Sequence, residues 1–170
     1  MTNEEKEILN KLYLQRISYE AFLEEYPVAI TYEYILSALK DVSRSQDANA
    51  LKYLLMLASY YGYTLEMGQI LSKLLLTGWH KEHEDIVRVL QFKVKVLESV
   101  DDLVQAIESR FDYLFQQDDY GPFVTKCMYA IADLQTEASK IKIQELAESS
   151  DPIIREAAQY QLQRLSAEPS

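Results

Sequence analysis

Glycine and proline each occur only four times in 170 residues. That scarcity constrains the fold more than any other feature of the chain. A β-fold needs frequent punctuation by turn residues, whereas long helices joined by short connections need little. Apolar residues recur at the spacing of one helix face through most of the sequence, and no segment holds a sustained period of two. The expectation is an all-α domain. With 48% hydrophobic and 26% charged residues, the chain is long enough to bury a core as one domain, 1–170.

The spacing predicts about ten helices. Short ones cover Glu4–Leu14 and Tyr19–Glu25, the second capped by Ser18 and stopped before Pro27. A third runs from Tyr32 to Val42, with Ser43–Asp47 read as a loop. Ala48–Tyr61 is apolar on most faces, as suits a central helix, with Gly62 at its left-handed end. Thr64 caps Leu65–Leu76, and a helix starting near Trp79 carries His83, Ile86, Val87, Leu90, Val94 and Leu97 on one stripe. Ser99 and Asp102 have capping-box spacing for a helix over Val100–Phe115. Gly121-Pro122 marks a break, followed by helices over Phe123–Leu134, Glu137–Glu148 and Pro152–Leu165.

The last of these helices repeats an earlier one. Phe123, Cys127, Ile131 and Leu134 match Ile154, Ala158, Leu162 and Leu165 at a constant offset of 31, the mark of stacked helix pairs. The stretch Leu146–Ala158, with its Asp151 turn, Ile154-Arg155 pair and small Ala158, resembles a HEAT repeat. Phe123–Leu134 resembles the second helix of the preceding repeat, with Val124 or Thr125 where the arginine would stand. The resemblance is clearest over 120–167 and fades toward 1–45, where degenerate helix pairs are expected. It implies a short right-handed α-solenoid of antiparallel helix pairs. The segment Trp79–Val87, in a small acidic chain upstream of such pairs, is also similar to HEAT-type immunity proteins of bacterial polymorphic toxin systems. That resemblance implies a partner: a cognate toxin that the chain binds and neutralises.

Charge limits the partners further. Seventeen basic and 27 acidic residues give a formal charge of −10, the wrong sign for neutralising phosphates or anionic lipid. Neither nucleic acid nor membrane is expected as a partner. No secretory signal is read in Met1–Glu7, and the apolar run Leu51–Leu57 is too short to span a bilayer, so a cytoplasmic location is expected. A basic protein fits better. Residues 96–125 alone carry a net −6, from Glu98, Asp101, Asp102, Glu108, Asp112, Asp118 and Asp119 against Arg110. Tyr113, Phe115 and Tyr120 are interleaved with them, the composition of a protein-binding surface. The expected protein-binding residues are Glu98, Asp101, Asp102, Glu108, Asp112, Tyr113, Asp118, Asp119 and Tyr120. The thirteen tyrosines suggest a further interface among Tyr32, Tyr34, Tyr60, Tyr61 and Tyr63.

Chemistry is weakly represented. On the helix starting near Trp79, His80, His83 and Glu84 share one face at i, i+3 and i+4 and could reach one metal ion. Their order does not fit the H-x-x-E-H pattern, and no second ligand cluster exists in the sequence. The preferred reading is that the histidines pack or cap beside Trp79 while Glu84 and Asp85 favour a helix start. Cys127 lies inside an apolar helix stripe, with the character of a small buried hydrophobe. There is no nucleophile elbow and no phosphate-cradling loop. Neither enzymatic activity nor a cofactor or metal is expected. A binding protein is the leading expectation, with a scaffold or assembly factor as the alternative and a metal-dependent enzyme more remote.

Overall fold

The computed structural model describes residues 1–167. Among them are eleven α-helices and no strand: α1 Asn3–Tyr13, α2 Tyr19–Glu25, α3 Tyr32–Ser45, α4 Ala48–Tyr61, α5 Leu65–Leu74, α6 His83–Phe92, α7 Val100–Glu108, α8 Asp112–Gln116, α9 Tyr120–Asp133, α10 Glu137–Leu146 and α11 Pro152–Ala167. A 3-10 turn, Leu97–Ser99, leads into α7. The all-α expectation holds.

Starts are written in side chains. Thr2, Ser18, Thr31, Asp47, Thr64 and Thr136 each accept a hydrogen bond from the backbone N–H three residues on, satisfying a donor that the helix itself leaves open. Ends are written less legibly. Gln15, Gln46, Arg110, Asp118 and Gln135 all have φ between 46° and 59°. Non-glycine residues in this conformation let a chain with so few glycines reverse direction so often, at a cost of roughly 1–2 kcal/mol each.

The helices form two layers. One contains α3, α5, α7 and α10; the other contains α4, α6, α9 and α11. Pairs α3/α4, α5/α6, α7/α9 and α10/α11 pack across the layers, and α1 extends the second layer beyond α4 with α2 across it. This is a solenoid-like stack of consecutive helix pairs. The offset of 31 relates α9 to α11, which lie side by side. Phe123, Cys127 and Ile131 are buried there, as are Ile154 and Ala158.

Several boundaries differ from the sequence expectation. The Ser43–Ser45 segment continues α3, and Gln46 turns the chain into Asp47, the cap of α4. No helix begins at Trp79: His80 accepts the Glu82 N–H on Nδ1 and reaches the Leu74 carbonyl with Nε2, which folds the segment as a loop. α6 therefore starts at His83 and ends at Phe92, leaving Val94 and Leu97 outside it. The Ser99–Asp102 capping box does not form, because the Ser99 hydroxyl bonds the Val96 carbonyl and Asp102 turns toward α5. The expected helix over Val100–Phe115 is two, broken by the left-handed Arg110. Gly121 and Pro122 fall within the first turn of α9, where proline's missing N–H leaves no bond unmade.

Turn contacts tie the C-terminal helices together. Arg155 donates to the Ser149 carbonyl at 2.9 Å, and Asp151 accepts the Ile153 N–H at 2.9 Å. Arg110, from the end of α7, crosses the Tyr120 ring to pair with Asp151 at 2.6 Å. Arg155 and Asp151 thus stitch the turn within the α10/α11 pair, and Arg110 links it to the turn that follows α7.

Candidate functional site

The outer side of the α3–α5–α7–α10 layer carries two adjoining grooves. One, of about 520 Å³, is lined by Ile70, Lys73, Val96 and Asp102 among others. The second, of about 310 Å³, lies between the 3-10 turn with the start of α7 and α10, over Leu97, Val100, Ala138 and Ile141. Glu98 lines both, so the two meet at its side chain. Leu97 and Ile141 are large apolar side chains left 54% and 46% exposed, and they belong to the same groove.

Acids frame this apolar floor. Glu98, Asp101, Gln105 and Glu108 are all exposed, and their spacing places them along one face of the turn and helix. Across the groove, Lys142 pairs with Glu145 at 2.8 Å, while Lys73 pairs with Asp102 and Lys40 with Glu66. Each of these three lysines is already held by a carboxylate. Glu98 has no ion-pair partner among the described residues, and Asp101 and Glu108 reach only the outer field of Lys142. The depression is therefore apolar in its floor and negative at its rim.

Only some residues expected at a binding surface are here. Glu98, Asp101 and Glu108 line or flank the depression. Asp102 borders the first groove but is buried, accepting from the Ser72 hydroxyl at 2.6 Å and from Lys73 at 2.8 Å, and it ties α7 to α5. Tyr120 is also buried: its hydroxyl donates to the Ile107 carbonyl, and its ring stacks on Phe115 with centroids 4.4 Å apart. Asp112, Asp118 and Asp119 lie at the turns around α8, off the groove. Tyr113 is half-buried with its hydroxyl 2.8 Å from His83 Nδ1.

The sequence reading missed Leu97, Ala138 and Ile141. A signal for Ile141 was available. Ile141 and Ile143 stand two apart in α10, and residues two apart on a helix face different ways. Ile143 takes the core, so Ile141 is left outside.

The histidine cluster resolves into packing. His80 precedes α6 and so shares no helix face with His83 and Glu84. The two rings stack with centroids 4.4 Å apart, and His83 packs on Phe111 at 4.0 Å. His83 Nε2 donates to the Thr77 carbonyl at 2.9 Å, while Nδ1 accepts from the Tyr113 hydroxyl. Both nitrogens of each ring are engaged in the neutral form. Burial pushes the His80 imidazole down, and burial with His80 beside it pushes His83 down to about 4. Glu84 pairs with Lys126 of α9. No group of three His, Cys, Asp or Glu among the described residues is placed to hold a metal ion. Cys127 is buried, and burial raises its thiol pKa far above the ordinary value, which keeps it protonated.

The tyrosines expected to form an interface also tie the N-terminal end together, with Tyr32 and Tyr60 left 47% and 52% exposed. Tyr26 and Tyr34 share a hydroxyl bond at 2.6 Å, Tyr32 donates to the Tyr61 carbonyl, and Tyr63 donates to the Leu55 carbonyl. Tyr19 stacks on Tyr60 at 4.3 Å. A ring that buries while its hydroxyl finds a carbonyl is well suited to joining short helices.

A separate cleft of about 280 Å³ opens where α4 and α6 part in the second layer, with Phe92 at its rim 69% exposed. Its walls mix Lys52, Arg88 and Lys93 with Glu82 and Asp85, so its charge favours no one kind of partner. No family model matches the chain, and no curated protein or solved structure matches it either. No helix of the described residues is long and apolar enough to cross a membrane.

Proposed function

We propose that this chain is a protein-binding module that engages a basic partner protein through the α5–α7–α10 face. The observation that carries the proposal is the depression itself: exposed Leu97 and Ile141 on its floor, with Glu98, Asp101 and Glu108 at or beside its rim and not held by lysine. Apolar contacts of this kind supply affinity, and an acidic surround supplies steering and orientation. The stack of helix pairs, and the role of Asp151 and Arg155 in the turn within its last pair, support reading the chain as HEAT-like.

Within that class we favour an immunity protein that covers the basic surface of a cognate toxin. The −10 charge, the small size and the engagement of both histidines in packing accord with this role. A cytoplasmic scaffold that binds a resident basic protein through the same face is the alternative. Co-expression separates them. An immunity protein restores growth to cells expressing the toxin encoded beside it, and Glu98→Lys with Asp101→Lys removes that protection while the protein still folds. Absence of protection by the wild-type chain eliminates the immunity role. A photo-cross-linker at position 141 tests the shared reading: it joins the chain to a basic protein, whereas one at position 92 does not. Equal capture at both positions, or none, counts against the face.

A further inference from the structure

The groove between α7 and α10 has a shape that specifies more than charge. On α10, Ala138, Ile141, Lys142 and Glu145 line it, a spacing of i, i+3, i+4 and i+7 that follows one ridge of the helix. That ridge extends for about 10 Å, close to two helical turns. Opposite stand Leu97 and Val100, with Glu98 and Asp101 beside them. An apolar trough bounded by helix ridges receives the ridge of another helix. With no strand among the described residues, there is no sheet edge for an extended segment to pair with.

We infer that the α7–α10 groove takes an amphipathic basic helix of the partner. This rests on the proposed binding role of the face and names the element that would fill it. The occupant presents an apolar stripe at i and i+3 or i+4 between Leu97 and Ile141. Lysine or arginine flanks the stripe and reaches Glu98 and Asp101 on one wall and Glu145 on the other. Lys142 lies on α10 at 2.8 Å from Glu145, which leaves the α7 wall as the more negative of the two. The occupant's basic flank is therefore expected over α7. The α4–α6 cleft is lined by both basic and acidic side chains and so lacks a wholly acidic wall of this kind.

The test uses a synthetic peptide of about fifteen residues, long enough to form helix on docking, made of leucine and lysine with leucines at helical spacing. Two controls are needed: the same leucine pattern with glutamate in place of lysine, and the same composition with the leucines scrambled. Titration into ¹⁵N-labelled protein is expected to move the amides of Leu97, Glu98, Ala138 and Ile141, with little change around Phe92. The patterned lysine peptide should bind at least about tenfold tighter than either control. Leu97→Ser with Ile141→Ser should weaken it by about tenfold at all salt concentrations. Glu98→Gln with Asp101→Asn should weaken it chiefly at low salt. All four positions are exposed, so the variants remain folded.

Equal binding of the scrambled peptide would mean that the groove senses charge alone, and the helical occupant is then wrong. Shifts centred on the α4–α6 cleft, or equal binding of the glutamate peptide, also overturn the inference. Failure of the probe while position 141 still cross-links a basic protein would remove the helix and keep the binding face. Failure of both removes the face.

Discussion

Asp101 and Asp102 are neighbours in sequence with opposite roles. The first is exposed beside the groove; the second is buried beneath it, accepting hydrogen bonds from Ser72 and Lys73. Asp102→Ala would leave the Ser72 hydroxyl buried without its acceptor, at a cost of about 2–3 kcal/mol. Asp101→Ala should change stability by no more than about 0.5 kcal/mol. Urea denaturation of the two variants checks the pair, and equal losses would contradict the assignment. His83 carries a second residue-scale consequence. Its folded pKa, about 4, lies below the ordinary 6.5, so the unfolded chain binds the proton more readily. The stability linked to neutral His83 is present above pH 6.5 and is lost as pH falls toward 4, by on the order of 3 kcal/mol. The measurement is stability against pH for the wild type and His83→Phe. The variant should be less stable at pH 7 and show a shallower fall through this window; parallel curves would show that His83 does not carry the linkage.

At the scale of elements, the reversals define this chain. Gln46 sits at φ 55° and ψ 38°, exposed, between α3 and α4. Glycine enters that conformation without the Cβ penalty, so Gln46→Gly should stabilise the protein by up to about 1 kcal/mol. A thermal melt with unchanged or lowered Tm would show that the side chain contributes more than the strain it causes. The same residues explain what could be read from sequence. Caps such as Ser18 and Thr64 and the Asp151-Pro152 start are local signals, and the helices they open were legible. The Arg110 reversal was not, because arginine carries no local mark of a left-handed turn; its pairing with Asp151 lies 41 residues away. Asp102 misled for a related reason. The capping-box pattern was local, whereas the Ser72 and Lys73 that claim the carboxylate arrive from another helix pair. The His80 loop likewise depends on a carbonyl at Leu74, six residues back.

For the molecule as a whole, the stacked pairs act as a frame that sets α7 beside α10 and α5. The frame gathers Glu98, Asp101 and Ile141, which no sequence window contains together. The acidic stretch was legible as composition, but the division between its exposed and buried members was not. Asp102 is taken up by Ser72 and Lys73 of α5, which lie outside that stretch. The second layer is cross-tied by Glu84 to Lys126 and by Gln91 and Arg164 to Asp133, which joins α6, α9 and α11 into one body. On this account association is limited by encounter and steered by charge. The most direct measurement is the association rate with the basic partner across a range of salt concentrations, for the wild type and for Glu98→Gln/Asp101→Asn/Glu108→Gln. The account predicts an on-rate lowered by about tenfold at low salt, a flatter salt dependence and a nearly unchanged off-rate. An on-rate and salt dependence equal to those of the wild type would contradict it.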